Sequence, residues 1–242
     1  MLKREDFTPQ RIDQIIAEAR KHGPYHALTH EERAENRLQF LGQKEKHPQD
    51  RQGKQQGLWV FGYGSLLWNP AFEFEQSRPA RLFGYRRRFC LSLTMGRGSP
   101  DKPGLMLALD TGGSCNGRAF YIPEELVESE TTILWMREML TGAYKPKWCR
   151  LQSDGHMFTG MTFVVNRDHP RYVQQMSREE TLQRIARGEG YLGSCRQYLE
   201  NTVAHLDEIN VVDSYLHELL RDLEESGVER KLINELSQAN GT

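Results

Sequence analysis

Two features of the sequence carry residue types that can do chemistry. The first is Phe61-Gly62-Tyr63-Gly64-Ser65-Leu66, which follows directly on the apolar run Leu58-Trp59-Val60. Two glycines in three residues let the backbone turn tightly and leave amide N–H groups uncovered, a cradle for a carboxylate or an oxyanion. The same residues also suit a plain strand-ending turn. They do not form the dinucleotide fingerprint, because Leu67 stands where a third glycine is required. Nor do they form a nucleophile elbow, because Tyr63 and Leu67 replace the glycines two residues either side of Ser65. The second feature is Glu138. Val127, Thr131, Leu134 and Glu138 are spaced four, three and four apart and so share one helix face. A carboxylate continuing such a stripe is drawn toward apolar surroundings, which raise its pKa and suit it to general-base work near neutral pH. Glu124, Glu128 and Glu130 can turn outward or favour the helix start. The competing reading of Glu138 is a residue at a fraying helix end, exposed or paired with a lysine.

Other candidates are weaker. His22, His26 and His30 stand four apart, and His26-Ala27-Leu28-Thr29-His30 has the outer letters of a zinc-protease helix. It lacks the catalytic glutamate, and Pro24 interrupts the helix that would align the first two histidines. Cys90, Cys115, Cys149 and Cys195 have no paired spacing that would hold zinc. No metal site is therefore expected. Within Arg86-Arg87-Arg88, strand alternation puts Arg86 and Arg88 on one face and Arg87 on the other. That face suits either solvent or a substrate carboxylate.

The elements that must position these residues belong to a chain of 242 residues with a net charge of −1, so no global field draws it to nucleic acid or to an anionic membrane. Apolar runs are far shorter than the roughly 18 residues that span a bilayer. The charged start, without an apolar run behind it, gives no sign of a secretory leader. Four scattered cysteines suit a reduced, cytoplasmic protein. Residues 1–56 are rich in charge and hold no tryptophan. They include an amphipathic helix over Pro9 to Lys21 and end in the polar stretch 42–57, which reads as a linker. A boundary is placed there, giving an extension (1–56) and a main domain (57–242), and the extension is expected to be dispensable for chemistry. Strands are expected at Leu58–Phe61, Ala80–Leu93, Leu105–Leu109, Gly117–Ile122 and Met157–Val165. Helices are expected at Pro123–Leu140, near Arg178–Ala186, and as one long element from Tyr198 to Leu223. Without regular strand–helix alternation, the class is α+β.

Taken together, Val60-Phe61-Gly62-Tyr63-Gly64-Ser65-Leu66-Leu67-Trp68, Gly84-Tyr85-Arg86-Arg87-Arg88-Phe89 and Pro103-Gly104-Leu105 resemble the ChaC-type gamma-glutamylcyclotransferases. The order continues with Gly117-Arg118-Ala119-Phe120-Tyr121, Arg137-Glu138, Tyr144 and Gly190-Tyr191-Leu192-Gly193. The likeness runs from about Leu58 to Leu220; residues 1–56 have no part in it. It implies a small β-barrel flanked by helices and cleavage of glutathione to 5-oxoproline and cysteinylglycine, a lyase reaction without cofactor or metal. By this resemblance Val60, Phe61, Gly62, Tyr63, Gly64, Ser65 and Leu66 form the substrate-binding segment, Glu138 is the catalytic glutamate, and Tyr144 also binds substrate. The segment Met139-Leu140-Thr141-Gly142-Ala143 departs from the glycine-rich turn usual in the family, and the tail after Gly193 lacks prolines common there.

Such a reaction needs no enzyme nucleophile, because a gamma-glutamyl group carries its own alpha-amine. The loop can anchor either the alpha-carboxylate or the oxyanion, and Glu138 takes the amine's proton. Two rivals stand beside this reading. One is a non-catalytic small-molecule-binding regulator, for example of cation transport. The other is a cyclotransferase for other gamma-glutamyl amides. The partner expected is a small molecule, with neither nucleic acid nor membrane involved.

Overall fold

A computed structural model of the chain describes residues 3–43 and 57–225. The polar stretch expected to be a linker lies almost wholly outside them. Five strands, β1 (Gly57–Gly62), β2 (Gln76–Leu93), β3 (Gly104–Pro123), β4 (Tyr144–Ser153) and β5 (His156–Val165), close into a barrel in the order β1-β3-β2-β4-β5. The class is α+β, with helices flanking a small barrel. Strand β1 runs antiparallel to β3, with Leu58 opposite Ile122 and Phe61 opposite Ala119, and its parallel pairing to β5 at Val60 and Met161 completes the closure. Leu58, Val60, Phe120, Ile122, Met161 and Phe163 are all buried in one core cluster. The β4–β5 hairpin turns through Asp154 and Gly155, both at positive φ (50° and 77°), the two-residue geometry that matches strand twist.

Two differences from the expected strands have physical causes. Leu105–Leu109 and Gly117–Ile122 belong to one continuous strand, since Gly112 and Gly113 take positive φ within β3 instead of ending it. Strand β4 escapes sequence detection because Lys145, Lys147 and Arg150 point outward and little of it is apolar; only Leu151 and Ser153 are buried.

The described residues fall into two compact units. The first comprises residues 3–43, 57–88 and 107–172. It holds most of the barrel, α1 (Pro9–Lys21), α2 (His30–Leu41) and α3 (Val127–Glu138). Thr8 caps α1 with Pro9 at its first position, and Thr29 with Glu32 forms a capping box on α2. Helix α1 buries Ile12 and Ile16 against Phe7 and Met136. Helix α2 buries Phe40, whose ring stacks on Trp148 at 4.9 Å and tilts against Trp135 at 5.7 Å. Trp135 Nε1 donates to Asn36 Oδ1 at 2.9 Å, and Arg37, itself buried, donates to Thr131 Oγ1 at 3.1 Å and to the Glu128 carboxylate. The boundary expected at residue 57 thus divides segments that pack into one unit. Dispersed apolar residues and guanidinium groups such as that of Arg37 carry that packing, which is why the stretch reads as a charged extension.

The second unit comprises, of the described residues, 89–106 and 173–225. It contains α4 (Arg178–Arg187), the short strands β6 (Glu189–Gly190) and β7 (Gly193–Ser194), α5 (Cys195–Glu208) and α6 (Ser214–Glu225). The long helix expected from Tyr198 to Leu223 is two helices. Asn210 turns into the left-handed region at φ 55°, and Asp213 accepts from the Leu216 N–H to start α6. Val203, Leu206, Leu216 and Leu223 of the expected stripe are nonetheless buried. Cys195 Sγ is fully buried, donating to the Arg97 carbonyl at 2.9 Å.

Phe40→Ala tests the docking of α2. It should cost about 3–5 kcal/mol, as large buried aromatics do when truncated, read by urea unfolding. A loss below about 1 kcal/mol would show that α2 contributes little to the unit.

Candidate active site

Helix α3 presents its less polar face to the core. Thr131 and Leu134 are fully buried, and Val127 packs against the cluster that contains Val60 and Phe163. Glu138, the last residue of α3, lies on that same face with its side chain only 15% exposed. Glu130 sits in the first turn of the same helix. It is buried rather than outward, because Arg4 and the N–H of Glu73 meet its carboxylate.

Burial pushes the Glu138 carboxyl above its ordinary pKa, and the charge and hydrogen bond of Arg137 pull it back only in part. Arg137 Nε sits 2.9 Å from Glu138 Oε1. The same guanidinium donates to Ser65 Oγ at 2.8 Å, to the Pro70 carbonyl at 3.3 Å and to the Asn69 carbonyl. One side chain therefore ties the end of the glycine loop to the carboxylate at the end of α3.

The loop is held from below by its own side chains. Val60 and Phe61 are fully buried, Leu66 lies in the core cluster, and Tyr63 is buried. Ser65 and Leu66 open a single 3-10 turn closed by the Leu67 N–H donating to the Gly64 carbonyl at 2.8 Å. Val60, Phe61 and Leu66 thus serve to anchor the segment, whose accessible chemistry is that of its backbone and of Ser65. Gly62 sits at a close approach: a Cβ there would stand 3.0 Å from the Phe120 ring and 3.1 Å from Leu66 Cβ. Thr162 Oγ1 donates to the Phe61 carbonyl at 3.0 Å.

The sequence leaves Arg86 and Arg88 either to solvent or to a substrate carboxylate. Arg86 is exposed, and Arg88 donates at 3.0 Å to Asp110, a buried carboxylate that also accepts from the Tyr172 hydroxyl at 2.9 Å. The residue that reaches the loop is Arg87, buried on the opposite face. It donates through Nε to the Tyr63 carbonyl and through Nη2 to the Asn116 carbonyl, both at 2.7 Å. Alternation along the strand was the signal that could have found it. Tyr144 opens β4 just after a turn in which Gly142 takes φ 72°, and its hydroxyl donates to the Leu107 carbonyl at 2.9 Å. Arg171, missed in the sequence, lies beside Tyr144 and Tyr25 and donates to Thr141 Oγ1 at 3.4 Å; burial lowers its pKa.

His30 Nε2 pairs with Asp13 at 2.8 Å and His22 stands near Glu18. Among the described residues, no cluster of three or more His, Cys, Asp or Glu is placed to hold a metal ion.

A glycine loop on a closed barrel, tied to a helix-end carboxylate, defines a gamma-glutamylcyclotransferase-like fold. The chain belongs to the ChaC-like protein family, whose pattern it matches over residues 58–226. It is 44% identical over 164 residues to the glutathione-specific gamma-glutamylcyclotransferase of Escherichia coli K12, covering 67% of this chain and 71% of that one. It is 32% identical over 157 residues to glutathione-specific gamma-glutamylcyclotransferase 1 of Rattus norvegicus, covering 63% and 71%. The crystal structure of a yeast gamma-glutamylcyclotransferase specific to glutathione superposes with a TM-score of 0.63 at 22% identity, covering 70% of this chain and 96% of that one, a likeness of fold.

Selective carboxyl labelling and NMR titration of Glu138 should find it ionising above the ordinary glutamate value of about 4.3. Ionisation at or below that value would mean that Arg137 outweighs burial.

Proposed function

We propose that this protein is a glutathione-specific gamma-glutamylcyclotransferase, a lyase that cleaves glutathione to 5-oxoproline and cysteinylglycine. The observation that carries the reading is a mostly buried carboxylate, Glu138, whose pKa burial raises and which is linked through Arg137 to Ser65 of the glycine loop. The names of the relatives supply the substrate.

The residues account for the chemistry without an enzyme nucleophile. The substrate's alpha-nitrogen attacks its own gamma-carbonyl carbon and a five-membered lactam forms. The carbon–nitrogen bond to the cysteine residue breaks. Glu138 accepts a proton from the alpha-ammonium, freeing the lone pair, and returns one to the departing amine of cysteinylglycine. Backbone amides of the Gly64–Leu66 turn hold a negative oxygen, that of the alpha-carboxylate or of the tetrahedral intermediate. Tyr144, whose hydroxyl is held by the Leu107 carbonyl, is a further substrate contact. Folding the gamma-glutamyl chain into its attacking conformation supplies up to about 7–11 kcal/mol of barrier reduction in well-oriented systems. A positioned base adds about 10²–10⁴-fold. None of these steps calls for a metal or redox cofactor. The cysteines are free thiols, which suits a reducing compartment, and we place the enzyme in the cytoplasm. No helix among the described residues is long and apolar enough to cross a membrane.

Purified protein should release 5-oxoproline from reduced glutathione in preference to oxidised glutathione and gamma-glutamylalanine. Glu138→Gln should fold normally and lose about 100-fold or more of kcat. Equal turnover of gamma-glutamylalanine would withdraw the glutathione assignment, and a variant retaining more than about a tenth of the activity would remove Glu138 as the base.

A further inference from the structure

Arg137 holds Glu138, and what holds Arg137 is the strap 69–73 between the glycine loop and β2. Its Asn69 and Pro70 carbonyls and the preceding Ser65 hydroxyl accept from the guanidinium. This strap has an unfavourable geometry of its own. Ala71 takes φ 60°, a left-handed conformation that costs a non-glycine residue energy and persists only where neighbours enforce it. Phe72 fixes one point by packing into the core.

The other fixings converge on Glu130, a glutamate in the first turn of α3 with 1% of its side chain exposed. Its Oε2 accepts from the Glu73 N–H at 2.7 Å and its Oε1 from Ser129 Oγ at 2.8 Å. Arg4 closes the arrangement from the extension. Its Nη2 donates to Glu130 Oε1 at 2.8 Å and its Nη1 to Oε2, a two-pronged fork on one carboxylate. Nη1 also reaches the Ala71 carbonyl at 3.4 Å, and Nε stands 3.6 Å from Glu73 Oε1. The Arg4 backbone is itself fixed in a 3-10 turn, Arg4–Asp6, in which the Lys3 N–H donates to Asp6 Oδ2 at 2.8 Å; Phe7 follows it, buried against Ile12 and Met136. All these residues lie within one compact unit, yet Arg4 lies outside the stretch 58–226 that matches the family.

We propose that Arg4 is a positioning residue for the active site, holding the 69–73 strap against α3 so that Asn69, Pro70 and Ser65 keep Arg137 on Glu138. The inference rests on the reading of Glu138 as the base. It makes the N-terminal segment part of the catalytic scaffold, where the sequence presented it as separable. A strap released at Ala71 and Glu73 shifts its carbonyls, weakens the grip on Arg137 and leaves Glu138 with less of the cation that lowers its pKa.

The test uses the full chain. Arg4→Ala should lower kcat about tenfold or more, as a displacement of about 1 Å at the reacting groups can, with KM changed less than about threefold. The acidic limb of the kcat profile should move to higher pH, because Arg137 is the charged group acting on Glu138. Arg4→Lys, which keeps the charge and loses the fork, should fall between. Should Arg4→Ala not fold because Glu130 is stranded, Arg4→Ala combined with Glu130→Gln removes that charge and should show the same limb shift. Amide hydrogen exchange should quicken at residues 69–73 in each alanine variant. Wild-type kcat, pH limb and exchange rates in these variants would overturn the proposal. If Glu138→Gln retains full turnover the reading of the base falls, and the exchange rates at 69–73 then decide the Arg4 tether by themselves.

Discussion

One guanidinium carries the positional logic of this site. Arg137 touches the loop hydroxyl at Ser65, two carbonyls of the following strap and the carboxylate next to it in sequence. Its five N–H donors in a rigid plane can satisfy acceptors on different segments at once, which a lysine could not do. The barrel supplies the loop and α3 supplies the carboxylate. Without the cation between them, each element would be well packed and the pair would still lack register.

The energetic setting explains why that cation is needed. A carboxylate so far withdrawn from water would be protonated, and so unable to accept a proton, unless a partner compensated. Full compensation would be equally unhelpful, since a carboxylate held deep in its ionised range is a poor acceptor of an ammonium proton. Burial outweighs the Arg137 charge, so the pKa stays raised, and the remaining donors of Arg137 go to Ser65, Asn69 and Pro70, which fix the guanidinium beside Glu138. Arg87 does related work beneath the loop. A buried guanidinium there is satisfied by the Tyr63 and Asn116 carbonyls and fixes the loop backbone.

Much of this was legible in the sequence, for identifiable reasons. Periodicity placed Glu138 on the buried face of its helix, and the paired glycines located the loop, because both signals are local. Strand β4 was lost because its outward lysines and arginine mask the alternation, and the break between α5 and α6 because Asn210 interrupts a stripe that is apolar on both sides. The contacts that organise the site are long-range: Arg137 with Ser65, Arg87 with Tyr63, and Phe40 with Trp148. Nothing in the spacing of such residues announces them. The N-terminal segment looked detachable because its contacts with the barrel rest on isolated apolar side chains and on guanidinium groups that, in sequence, resemble solvated charge.

The central claim is that Glu138 works as a base whose ionisation is set by burial against the charge of Arg137. Arg137→Met keeps the volume and removes the charge. The most direct measurement is the pH dependence of 5-oxoproline formation from glutathione by this variant and by the wild type. Without the cation the folded carboxyl should ionise at higher pH, so the acidic limb of kcat/KM should move upward, with activity partly regained on the alkaline side. A limb that stays where it is in the wild type, at whatever rate, would contradict the account.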